Sequence, residues 1–285
     1  MKKLRFSALV MAAVMCVSAL TACSQSGPGN TAGASGPSDN STQTETAGDL
    51  LSQIQQRGEI VVAMEGTWAP WTYHDENDQL VGYDVEVAQK IGEKLGVEVN
   101  FAEGEWDGLL AGLDAGRYDI MVNGVDIDEA RQEKYDFSTP YAYNRTAVIV
   151  RGDGDSVQSM EDLSGKRTAN TLNSTYANVA EAYGAEVTGV DDFIQTIELL
   201  HSGRIDATLN AEVSYYDYMA QHPDDNIKIA CIDPATTQVA IPLRKGEETA
   251  TLRAAIDQAL AELAEDGTLT QLSEKYFGTD ISQNQ

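Results

Sequence analysis

The chain is predicted to be an α/β protein made of two successive units of doubly wound sheet, and three features predict it. Short apolar runs alternate with helical patterns from residue 59 onward. The same rhythm restarts after "RTAVIVR" at 145–151. The tail beyond residue 247 is helical in pattern, with no strand of its own, and so needs a sheet face to cover.

Each element follows from its pattern. "EIVVAM" (59–64) is a short apolar run of buried-strand type. "DVEVAQKIGEKLG" places Val85, Ala88, Ile91 and Leu95 on one helical face, and Gly96 supplies the stop. "VEVNFA" (97–102) is the next strand, "WDGLLAGLDAGR" a short helix and "YDIMVNG" (118–124) a strand. This β-α-β-α-β succession with short links predicts a parallel sheet. In the second unit "KRTANT", "EVTGV", "IDATLN" and "IKIACI" read as strands. "TYANVAEAYG", "DDFIQTIELLHSGR" and "AEVSYYDYMAQ" read as the helices between them. In the tail, Leu252, Ala255, Ile256, Ala259, Leu260 and Leu263 recur at i, i+3, i+4, i+7, i+8 and i+11, which is an amphipathic helix ended by Gly267. One more helix follows in "TLTQLSEKYFG".

The first residues belong to no domain. Lys2, Lys3 and Arg5 precede the apolar "FSALVMAAVMCVSAL", which is too short for a membrane span and suits a signal peptide, residues 1–22. It ends in "LTAC", which resembles the lipobox of bacterial lipoproteins and implies that Cys23 is lipidated. Residues 23–48 lack large apolar side chains and are expected to form a flexible tether reaching roughly 25–30 Å. No later apolar stretch is long enough to cross a membrane, which argues against a receptor ectodomain with its own transmembrane helix. The net charge of −26 disfavours nucleic acid and anionic lipid as partners. Once Cys16 leaves and Cys23 carries lipid, Cys231 in "IKIACI" is alone, so no intrachain disulfide is expected and Cys231 reads as a core thiol.

"EGTWAPWTYHDENDQLVGYDVEVAQKIGEKLGV", "WDGLLAGLDAGRYDIMVNGVDIDEARQEKYDFSTPY", "SMEDLSGKRTAN", "HSGRIDAT" and "AELAEDGTLTQLSEKYFG" together resemble the extracellular (periplasmic) solute-binding proteins of polar amino-acid ABC transporters, bacterial solute-binding protein family 3. "EGTWAPW" and "GTLTQLSEKYFG" are most similar to the L-cystine-binding branch. The resemblance implies the two-lobe periplasmic-binding-protein fold of type II, joined by two hinge strands. Residues 49–146 and 240–285 would form lobe 1, and 147–239 lobe 2. It also implies an amino-acid ligand between the lobes, membrane permease subunits as partner, a monomer, and no cofactor.

The chemistry of an amino acid says what the cleft needs. Burying its carboxylate and ammonium is costly unless each meets a partner. Arg131 in "GVDIDEAR" is similar to the family arginine that clamps the carboxylate; the competing reading is a surface ion pair with Glu129 or Asp128. Further donors are expected around Asn123 and Gly124, and from Thr171, Ser174 and Thr175 at a helix start; an N-cap role alone also fits Ser174 and Thr175. Of three tryptophans, Trp68 and Trp106 match positions that pack on the ligand, while Trp71 reads as core. The family's ammonium-binding aspartate is Ala211 here, and Asp126 stands where Ser or Thr is usual. Glu65 and Asp126, helped by Glu212, are therefore expected to take the ammonium or a cationic side chain. No HExxH, GxSxG or metal-ligand spacing is present, so binding is expected rather than catalysis. The alternatives of the same fold are a sensor reporting to a membrane receptor and a dehydratase-like enzyme.

Overall fold

The computed structural model describes residues 49–284. The signal segment 1–22, the tether 23–48 and Cys23 lie outside the described residues.

Strand Glu59–Met64 forms where the apolar run predicts it. It pairs in parallel with Glu98–Glu103 on one side and with Ile120–Met121 on the other. Helix Tyr83–Leu95 makes the crossover and buries Val85, Ala88 and Ile91. Gly96 ends it at φ 72°, and its N–H returns to the carbonyls of Gly92 and Glu93; only a residue without a Cβ adopts that cap at little cost. The third strand is shorter than "YDIMVNG" suggests. Val122 still donates to the Ala63 carbonyl, but the chain then leaves the sheet to form the Gly124 loop.

The second unit mixes parallel and antiparallel strands. Arg167–Asn170 and Glu186–Gly189 are parallel. Ala142–Arg151 instead lies antiparallel to both Thr208–Ala211 and Ile227–Val239. The reason is topological: the first of these strands carries the chain out of the first unit and Ile227–Val239 carries it back, so their directions oppose. The return strand shifts register between Ile232 and Thr236, around Pro234, which has no N–H for a ladder bond. At its end Ile127 and Ala240 exchange backbone bonds with Gln238 and Val125, tying the arginine loop to the returning strand.

The tail helix Glu247–Glu265 buries Leu252, Ile256, Ala259, Leu260 and Leu263. It packs on helices Leu50–Arg57 and Tyr83–Leu95, so the tail returns to the first unit. Burying each large side chain is worth about 1.5–3 kcal/mol, several times any helix-propensity difference, so packing decides this helix. Helix Thr268–Phe277 ends with Phe277 against Trp71 and Tyr83, at centroid distances of 4.8 and 5.0 Å. Trp71 is fully buried there. Cys231 is half-buried, with Sγ 3.9 Å from Met160 Sδ. Among the described residues, no helix is long and apolar enough to cross a membrane.

Candidate functional site

Arg131 begins as a helix problem. Asp128 caps the short helix Glu129–Lys134 by accepting from the Arg131 N–H at 2.7 Å, which sets the arginine in the first turn. Its side chain then points inward and is only 7% exposed. Nε lies 3.3 Å from Asp128 Oδ2. The terminal nitrogens face the other way. Nη1 donates to the Asp126 carbonyl at 2.9 Å and to Thr175 Oγ1 at 3.1 Å, and Nη2 to the Asn173 carbonyl at 3.1 Å. The guanidinium also lies 5.3 Å from the Trp106 ring centroid. One buried cation thus joins the loop after Asn123 to the start of helix Thr175–Ala182.

The aromatic wall is built around a glycine. A three-stranded meander, Thr67–Trp68, Thr72–His74 and Leu80–Val81, presents Trp68. Trp68 stacks on Trp71 at 5.4 Å, meets Tyr176 edge-on at 6.3 Å, and donates from Nε1 to Asn210 Oδ1 at 3.1 Å. Gly124 has φ +55°, and a Cβ there would stand 2.5 Å from Trp68 Cζ3. Trp106 is 6% exposed, and its Nε1 is buried with no hydrogen-bond partner.

Three carboxylates face this wall. Glu65 accepts from Asn123 Nδ2 at 2.7 Å, and Asn123 Oδ1 accepts from the Glu65 N–H at 2.8 Å. Burial pushes the Glu65 carboxyl up to about 7, with Asp192 across the space adding to the rise. Asp126 is 3% exposed, and its Oδ1 is buried without a hydrogen-bond partner. Burial raises its pKa, while Thr237, Thr175 and Arg131 pull the other way. Asp192 caps helix Phe193–His201 by accepting from the Gln195 N–H.

Glu65, Trp68, Trp106, Gly124, Asp126, Arg131, Thr171, Ser174 and Thr175 converge on one cavity of about 50 Å³. Two predicted residues do not line it. Asn123 is fully buried behind it and positions Glu65. Glu212 faces elsewhere: its carboxylate is held by Arg145 at 2.7 Å and by the Tyr216 hydroxyl at 3.1 Å, so it does not join the other acids. The Gly124 N–H is also not a free donor, because it is given to the buried Asp84 at 2.5 Å; Asp84 also accepts from Tyr141 Oη at 2.8 Å. Ser174 Oγ accepts from the Ala177 N–H, as an N-cap does.

Thr67, Tyr176, Asp192, Phe193 and Asn210 complete the lining. Phe193 looks like any helix-start apolar residue, and Asp192 like any helix cap. Asn210 had a visible signal, since it flanks Ala211. Among the described residues, no group of three or more His, Cys, Asp or Glu is arranged to hold a metal ion.

Residues 60–279 match the family model described as bacterial extracellular solute-binding proteins, family 3. The chain is 36% identical over 277 residues to the L-cystine-binding protein TcyA of Bacillus subtilis, covering 96% of this chain and 98% of that protein. An ancestral arginine-binding protein bound to arginine superposes with a TM-score of 0.72 at 36% identity, covering 78% of this chain and 99% of the other. The unliganded, open L-cystine solute receptor of Neisseria gonorrhoeae gives a TM-score of 0.57 at 39% identity, covering 84% and 100%.

Proposed function

Because the chain belongs to the bacterial extracellular solute-binding proteins of family 3, we propose that its cavity captures an α-amino acid for an amino-acid ABC importer, with L-cystine the favoured ligand. The observation that carries this reading is the buried Arg131 guanidinium, stacked near Trp106 and reaching partners on both sides of the space. A planar fork of this kind matches a carboxylate bidentately once an opened cleft withdraws Thr175 and Asn173, which accept from Nη1 and Nη2 here. Asp126 Oδ1 is the matching acceptor for the α-ammonium. A buried acceptor without a donor costs about 1–3 kcal/mol, which an ammonium N–H recovers. Asp126 thereby takes over from the aspartate that Ala211 replaces. The Trp68 and Trp106 rings suit a sulfur-containing side chain, and the relatives named for cystine support that choice.

The fold supplies the mechanism. Residues 49–146 with 240–285 form one lobe, 147–239 the other, and Ala142–Arg151 with Ile227–Val239 are the hinge. A cavity of about 50 Å³ holds a few waters and not a whole amino acid. Ligand therefore enters an opened cleft, and its contacts to both lobes favour closure by their differential energy. The closed form engages the permease as a monomer tethered through a lipidated Cys23, on the extracytoplasmic face of the membrane. The role is binding, without catalysis.

Calorimetric titration against the standard amino acids and L-cystine tests the reading: saturable binding of an α-amino acid supports it, and binding of none contradicts it. Glu65 adds a pH dependence. A carboxylate that receives a ligand cation must be ionised, and its free-state pKa is raised to about 7. Bound cation stabilises the ionised form, so affinity is full above pH 7 and falls as pH drops below it. Affinity at pH 6 is expected to be about tenfold weaker than at pH 8. Glu65→Gln, which keeps an acceptor for Asn123, should flatten that profile; an unchanged slope in the variant would remove Glu65 from cation binding.

A further inference from the structure

A second chamber, of about 450 Å³, continues from the cavity and shares Thr67, Trp68, Asp192 and Phe193 with it. Its far walls come from both lobes. Tyr73 and His74 belong to the meander strand Thr72–His74, and Ser214, Asp217 and Gln221 to helix Glu212–Gln221. The outer space is about ninefold the larger and adjoins the inner one at the Trp68 wall, so it has room for the remainder of a ligand too long for the inner cavity.

The outer chamber carries polar groups in excess of its structural needs. Ser214 is 1% exposed, and its Oγ has no hydrogen-bond partner. Asp217 accepts from Gln221 Nε2 at 2.7 Å. Burial raises the Asp217 carboxyl, and Asp217 adds to the burial that raises the Tyr73 phenol across the gap. Asp192 stands at the junction of the chambers, opposite Glu65. Hydroxyl, amide and carboxylate groups grouped in this way complement a second zwitterionic head. Two acids are available for its ammonium, and a hydroxyl and an amide for its carboxylate.

We propose that the outer chamber is a second subsite, which holds the far ammonium–carboxylate head of an elongated diamino dicarboxylic acid through Ser214, Asp217 and Gln221. Arg131 and Asp126 hold the near head in the inner cavity, and the linking chain passes Trp68 and Phe193. The proposal rests on the amino-acid-binding function inferred above and names what sets ligand length.

The test compares L-cystine with S-methyl-L-cysteine, which has one head and cannot form a disulfide, by calorimetry on the full chain. The unaltered protein is expected to bind L-cystine at least about tenfold more tightly. A Ser214→Ala, Asp217→Asn double variant should bring that ratio near one while S-methyl-L-cysteine binding stays the same. Gln221→Ala, at an exposed position where folding is safe, should lower the ratio in the same direction. Equal affinities in the unaltered protein, or parallel losses for both ligands in the variants, would overturn the second subsite and leave the amino-acid site standing. Failure of the unaltered protein to bind either compound, or any amino acid, would overturn both readings.

Discussion

Arg131→Ala is expected to weaken binding of every carboxylate-bearing ligand by about 30-fold to several thousand-fold. The range corresponds to the roughly 2–5 kcal/mol lost when one partner of a buried, hydrogen-bonded charge pair is truncated. The arginine is almost fully enclosed, so solvent screens it little. Its Nε is occupied by Asp128 and its terminal nitrogens by the Asp126 carbonyl, Thr175 and Asn173, so a ligand carboxylate takes the places of Thr175 and Asn173. In an acidic chain this cation is what makes the cavity attract an anion at all. Arg131→Lys keeps the charge and loses the planar fork, so its loss should be intermediate. Circular dichroism should show the fold retained in both variants, because the helix cap formed by Asp128 uses the backbone N–H of residue 131 and survives.

Gly124→Ala is the second large effect. The residue has φ +55°, in the left-handed region that costs a side chain about 1–2 kcal/mol. The new methyl would also stand 2.5 Å from Trp68 Cζ3 and 3.4 Å from Trp71 Cε3. Trp68 cannot simply retreat, because it is stacked on a fully buried Trp71. The ring must tilt, which breaks its bond to Asn210 and misplaces one wall of the cavity. Binding should fall by at least about tenfold, since small misplacements at a preorganised site are costly. The melting temperature should drop as well, by about 2–4 °C per kcal/mol for a domain of this size. Gly108→Ala is the control: nothing lies within 4 Å of its Cβ position, and the residue is helical and exposed, so it should be neutral or stabilising. Tryptophan fluorescence and thermal melting would show the contrast; an unchanged Gly124→Ala protein would mean that the loop is not under this constraint.

The strong periodicities carried most of the fold. The runs at 59–64 and 97–102 (the second observed as Glu98–Glu103), the helix ended by Gly96 and the long tail helix all appear in the structure, because each buries an apolar face that its spacing displays. Strand direction in the second unit was not legible. "RTAVIVR" and "IKIACI" are equally apolar whichever way they run, and only the need to leave and re-enter the first unit makes them antiparallel. The meander that holds Trp68 was also missed, since its strands are two or three residues long and lack alternation.

For the site, residue type and family likeness pointed to Arg131, the two indoles and the acids at 65 and 126. They could not show which polar groups are already spoken for. Glu212 has the right chemistry and the right neighbourhood in sequence, yet Arg145 claims it. The Gly124 N–H is likewise taken by Asp84, a buried acid pushed up to about 7 by burial. Asp192 and Phe193 lie some sixty residues beyond Arg131 in the chain, and only the fold brings a helix cap and a core-like aromatic to the same opening.

The Arg131 guanidinium is proposed to hold the ligand's carboxylate. The most direct measurement is a double cycle: S-methyl-L-cysteine, which has a single carboxylate, and its methyl ester, each titrated against the unaltered protein and against Arg131→Ala. Esterification is expected to cost the unaltered protein about as much affinity as the substitution does, and to cost the variant little further. An ester that binds the unaltered protein as tightly as the free acid would contradict it.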